Sequence, residues 1–153
     1  MPQFVFQLEG VLRQRRNLEQ QRLRELAAIQ DRYRQLEADL RAMDQEMREA
    51  TAFLRQHHLN GKLDMAYLTG HRRYTLAMQR KAMAQVQRMA IVQRQAEEAH
   101  AALTLAAQRR KAVEKLRDHQ YLRWRQAIER RDMAQMDEIG VQLAYQNLVQ
   151  SEE

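Results

Sequence analysis

Apolar residues recur along most of the chain at steps of three and four. From Leu26 the positions Leu26, Ile29, Tyr33, Leu36, Leu40, Met43, Met47, Ala50 and Leu54 alternate the two steps without error. That spacing marks the seam of a left-handed coiled coil, because a straight helix of about 3.6 residues per turn keeps such a stripe on its partner only by supercoiling. Upstream, Phe4, Leu8 and Val11/Leu12 begin a helical stripe with Phe6 on its flank. Between Arg13 and Arg22 the register is poor, since Leu18 and Leu23 do not fit one heptad. Further along the chain a second seam reads Ala82, Gln85, Met89, Val92, Ala96, Ala99, Leu103, Ala106 and Val113, built mostly of small residues.

One short stretch, His57 to Asp64, interrupts this pattern. Asn60-Gly61 supplies residues that tolerate positive φ, the usual way a helix ends in a left-handed cap. Asp64 then offers a side-chain acceptor for the free N–H groups of a new helix. Pro2 suits a first helical turn. The pattern predicts a helix over about 2–58, a turn over about 59–63 and a helix over about 64–148, with one local weakness at Thr69-Gly70. The expected fold is all-α: a single, long two-helix antiparallel coiled-coil hairpin.

Folding back about Asn60-Gly61 pairs Ala96 with Leu26, Ala99 with Leu23 and Ala82 with Leu40. Large then faces small across the seam. A parallel homodimer would set Ala on Ala and lose buried apolar area at roughly 25 cal/mol per Å². A monomeric hairpin is therefore expected. A first arm of roughly 85 Å places Phe4 beside Asp118, so that everything from His119 onward overhangs as a lone helix of roughly 45 Å. Along one side of that C-terminal overhang run Tyr121, Trp124 and Ile128, then Met136, Ile139 and Leu143, with Arg123, Arg125, Arg130 and Arg131 between them. Such a stripe on a single helix has no partner in its own chain and should be buried in another molecule.

Composition narrows the class further. Four glycines, one proline, 6% aromatics and 30% charged residues are the makeup of long helices rather than of a compact core. Absence of cysteine excludes disulfides and thiolate metal sites. Gln7, Glu9 and Arg13 interrupt any early apolar run, so no signal peptide is expected, and no segment has the roughly 20 apolar residues that cross a bilayer. A soluble, cytoplasmic protein without direct membrane insertion is expected. The net charge of +6 raises the question of nucleic acid. In the first arm, however, Glu19, Glu25, Asp31, Glu37, Asp39 and Asp44 interleave with the arginines, as on a solvated face laced with i,i+4 pairs.

No catalytic constellation emerges. Gly10, Gly61, Gly70 and Gly140 are isolated and form no phosphate loop. His57, His58 and His71 cluster near the turn, but neighbours on a helix point roughly 100° apart and no i,i+4 His pair exists. Polar fraying of a helix end explains them better than a metal. Asp132, Asp137 and Glu138 lack an enclosing pocket that would shift a pKa. Arg13, Arg15, Arg16, Arg22 and Arg24 ahead of a heptad seam resemble a basic region and zipper. Acids intervene and the seam is not a leucine repeat, so no nucleic-acid partner is expected. Membrane-surface binding is disfavoured by a narrow, Ala-rich apolar face. The methionines read chiefly as gap-filling core, with Met133 and Met136 as an adaptable contact surface. No enzyme activity and no cofactor are expected.

Certain stretches resemble a known family. Phe4-Val5-Phe6-Gln7-Leu8-Glu9-Gly10-Val11-Leu12 runs straight into an Arg/Glu/Gln coiled coil. The chain also carries Lys111-Ala112-Val113-Glu114-Lys115-Leu116-Arg117, then Arg131-Asp132-Met133 and Met136-Asp137-Glu138-Ile139-Gly140. These are similar to the FliJ family of the bacterial flagellar type III export apparatus. The resemblance implies an antiparallel coiled coil like the central stalk of rotary ATPases. It implies as partners a hexameric export ATPase, whose pore the paired termini enter, a membrane-embedded export gate at the other end, and export chaperones. A peripheral place at the cytoplasmic face of the membrane follows from those partners. For the ATPase contact the candidate residues are Arg123, Trp124, Ile128, Arg130, Arg131 and Met136, with Asp137 and Glu138 at the rim. The surroundings of Asn60-Gly61 differ in spacing from the family's, so the gate contact is assigned by position only, to Met43, Met47, Phe53 and Tyr74. Stalk proteins of virulence type III secretion share the pattern and are the alternative.

Overall fold

The computed structural model describes residues 3–150, without the side chains of Leu148 and Val149. The expected place of Pro2 in a helical turn lies outside the described residues. Two helices carry the fold, α1 (Glu9–His57) and α2 (Met65–Gln150), and no strand occurs among the described residues.

The break between the helices follows local chemistry. Gly61 has φ 107°, a conformation that a side chain would strain. The Asp64 carboxylate accepts hydrogen bonds from the backbone N–H of Ala66 (3.0 Å) and Tyr67 (3.2 Å), satisfying two groups that α2 leaves free at its start. Arg55 and His57 in the last turn of α1 complement the negative end of its dipole. Thr69-Gly70 does not interrupt α2; a helical glycine costs only about 1 kcal/mol relative to alanine.

The start of α1 departs from expectation. The helix begins at Glu9, and residues 3–6 are not helical. Phe4 and Phe6 therefore do not belong to a helical stripe. Phe6 is buried while Val5 is exposed, the alternation of an extended segment. The Phe6 carbonyl accepts from Glu9 N–H at 3.2 Å and the Leu8 carbonyl from Leu12 N–H at 2.9 Å, which ties the segment to the first turn.

The heptad of α1 is continuous where the apolar pattern suggested a gap. Leu12 is buried, Arg15, Glu19 and Arg22 are half-buried, and Leu26 is buried, so the alternation of three and four runs unbroken with polar occupants. Leu23 is 55% exposed, which removes it from the expected pairing with Ala99. The seam takes Arg22 and Leu26 instead, because the long apolar stem of arginine packs while its head reaches water.

Residues 19–106 form one unit, an antiparallel hairpin. Leu26, Leu54, Met78, Val92 and Ala106 are buried in its seam. Leu26 and Ala96 line one cleft and Leu40 and Ala82 another, so those two large-to-small pairings stand. Gln85, only 5% exposed, donates from Nε2 to the Leu36 carbonyl and to Asp39 Oδ2, both at 3.4 Å. A satisfied polar residue in a seam favours one register, since a slip would bury its amide unpaired.

Residues 3–18 and 107–150 belong to the other unit. Leu12 there is the one side chain fully removed from water among the described residues. Arg16 donates to Glu114 at 3.1 Å, and Arg110 on the preceding turn of α2 pairs with the same carboxylate.

Candidate partner-binding surfaces

In the unit holding the N-terminal segment, three rings meet. Phe4 lies edge-on to Tyr121 at 5.4 Å and against Trp124 at 5.7 Å, and Tyr121 and Trp124 are 5.7 Å apart. Phe4, Val5, Phe6 and Glu9 form a shallow groove with Arg117, Asp118 and Tyr121. This corrects the expectation that α2 stands alone from His119. An extended segment advances about 3.3 Å per residue against about 1.5 Å in a helix, so residues 3–6 reach further along α2 than a helical start would. Trp124 consequently has a partner within its own chain and is half-buried. The ring contact was not legible in the sequence, although the alternating Phe4-Val5-Phe6 is a signal for extended backbone.

Beyond Ile128, which is half-buried, every side chain from Glu129 to Asn147 is exposed. Met136 is 73% exposed and Met133 69%. Arg125 pairs with Glu129 at 3.0 Å. Arg123, Arg130, Arg131, Asp132, Asp137 and Glu138 are exposed and make no ion pair among the described residues. At the base of this region Glu114 is held below the ordinary carboxylate range by its hydrogen bond from Arg16, helped by the charge of Arg110.

The turn end, in the other unit, has a different character. Phe53 stacks on His57 at 4.3 Å, and His58 stacks on Tyr67 at 3.6 Å. The His57 Nδ1 hydrogen-bonds the Phe53 carbonyl at 3.2 Å. Phe53 is 48% exposed. Met43 and Met47 are half-buried in a cleft with Met78 and Ala82, which makes them seam residues first. The Tyr74 hydroxyl donates to Glu46 at 2.9 Å, and that acceptor raises its pKa above the ordinary phenol value. The rings of Phe53, His57, His58 and Tyr67 thus come together, whereas Met43, Met47 and Tyr74 serve the hairpin.

Among the described residues no group of three or more acidic or histidine side chains is placed to hold a metal ion, and no helix is long and apolar enough to cross a membrane. What the fold displays is a set of apolar and charged side chains on helix faces, the surface of a coiled-coil protein. A sequence model of the flagellar FliJ protein matches residues 4–148. The chain belongs to the FliJ family, non-catalytic components of the flagellar protein export apparatus. Comparison with curated proteins and with solved structures returns no match.

Proposed function

We propose that the chain is a non-enzymatic stalk of the flagellar export apparatus that engages the hexameric export ATPase through α2 beyond Arg117 and the adjoining N-terminal segment. The observation that carries this reading is the run from Ile128 to Asn147. It joins exposed apolar side chains to arginines that make no ion pair among the described residues, on a helix face that no described residue of the unit covers. Such a face leaves water only by association. Ile128 and Met136 act as apolar anchors and Arg123, Arg130 and Arg131 meet acidic loops, with Asp137 and Glu138 at the rim. Trp124, packed on Phe4 and half-buried, stiffens the base of the contact. Toward the turn, Phe53 with the stacked His57 and His58 is the best candidate for the export gate. Export chaperones are the third class of partner in this reading.

Affinity capture of the tagged full chain from the lysate of a flagellated bacterium, read by mass spectrometry, tests it. Recovery of the secretion ATPase is expected. Recovery of nucleoid proteins without that ATPase would overturn it.

A further inference from the structure

The formal excess of +6 has an address. Between Asp64 and Glu97 lie Arg72, Arg73, Arg80, Lys81, Arg88 and Arg94, with no acidic residue among them. Outside this stretch the chain holds 20 acidic residues and an equal number of basic ones, so the whole excess sits on α2 within a single unit. All six cations are exposed, and none makes an ion pair among the described residues. Arginines elsewhere, such as Arg34, Arg41 and Arg48, are matched by acids on the same helix.

The cations are also arranged. Met78, Gln85 and Val92 are buried in the seam at steps of seven. Arg73, Arg80 and Arg94, separated by whole heptads, fall at the position opposite that seam. Leu76 and Met83 lie on one side of this line and Ile91 on the other, each about half exposed or more. This apolar flank is distinct from the Ala-rich seam. The line extends over roughly 30 Å of helix.

We infer that this outward face of α2 adsorbs on an anionic lipid bilayer surface, lying flat at the headgroup–acyl boundary without crossing the bilayer. Charge complementarity demands an anionic partner, and three details select lipid. The face is the outward side of one helix, opposite the seam, a convex surface that suits a bilayer better than the pocket of a folded partner. Leu76, Met83 and Ile91 gain from the acyl boundary and would gain nothing from a nucleic-acid backbone. No aromatic ring lies among them for base stacking. This inference does not rest on the ATPase contact and uses none of its residues.

Flotation of the full chain with vesicles of phosphatidylcholine alone, or with about one-third phosphatidylglycerol, tests it. Binding is expected only to the anionic vesicles, and it should fall steeply between 0.05 and 0.5 M salt as screening shortens. Each cation near an anionic surface raises affinity roughly fivefold. The variant Arg73→Gln/Arg80→Gln/Arg94→Gln should therefore bind roughly 100-fold more weakly. A control, Arg24→Gln/Arg32→Gln/Arg109→Gln, removes equal charge elsewhere, at exposed positions, and should stay within a few-fold of wild type. A second variant, Lys81→Gln/Arg88→Gln, should lose roughly 20-fold and guards against local misfolding in the first. Equal binding by control and triple variant, no binding to anionic vesicles, or preferential capture by a short DNA duplex would each overturn the inference.

Discussion

Leu12 and Leu23 are both leucines in the first half of α1, each next to an arginine, and the heptad separates them completely. Leu12 is 0% exposed and Leu23 55%. Truncating Leu12 to alanine removes three buried carbons at about 0.8 kcal/mol each and leaves a cavity that a two-helix seam closes only in part. The expected cost is about 2–4 kcal/mol. At Leu23 most of the removed surface is already in water, and alanine is the better helix former, so the expected cost is about 0.5 kcal/mol or less. Urea unfolding of both variants, followed by far-ultraviolet circular dichroism, reads the difference directly. Equal losses for the two, or a larger loss at Leu23, would refute the continuous register through Arg15, Glu19 and Arg22.

Three other outcomes follow from single contacts. Glu114 has its pKa lowered by Arg16, so the pair contributes above the ordinary glutamate range and is lost as pH falls through the lower folded value. The stability gap between wild type and Glu114→Gln should be about 0.5–1 kcal/mol at pH 7, small because the side chains are part-exposed, and should shrink progressively in matched unfolding curves as pH falls below the ordinary glutamate range. Thr75 Oγ1 is buried without a hydrogen-bond partner among the described residues, so Thr75→Val should raise stability by about 1 kcal/mol in thermal unfolding. Gly61→Ala meets no atom within 4 Å, so its cost is backbone strain alone, about 1–2 kcal/mol in the same assay.

Much of the hairpin could be read from residue types, because the signals are local. Asn60-Gly61 and Asp64 specify a turn and a cap whatever surrounds them, and the uninterrupted step from Leu26 to Leu54 specifies a seam. What escaped depends on context. Arg15, Glu19 and Arg22 hold seam positions that apolar counting skips. Phe4 and Phe6 sit at steps that suit a helix flank, yet the segment is extended, because Phe4 finds Tyr121 and Trp124 only through the tertiary fold. Trp124 was legible as an interface residue type but not as one already half covered. The basic face of α2 was visible in the sequence only after the seam had been placed, since position relative to the seam decides which cations point outward.

In the proposed function, α2 beyond Ile128 contacts the export ATPase. The most direct test titrates the purified ATPase with the full chain and with Ile128→Asp/Met136→Asp, measuring ATP hydrolysis at matched helicity. Wild type should raise the rate to a plateau. If each anchor contributes about 2 kcal/mol, the double variant should need at least about 30-fold more protein to reach half of it. A double variant whose stimulation curve overlays the wild type would contradict the account and move the contact to the turn around Phe53.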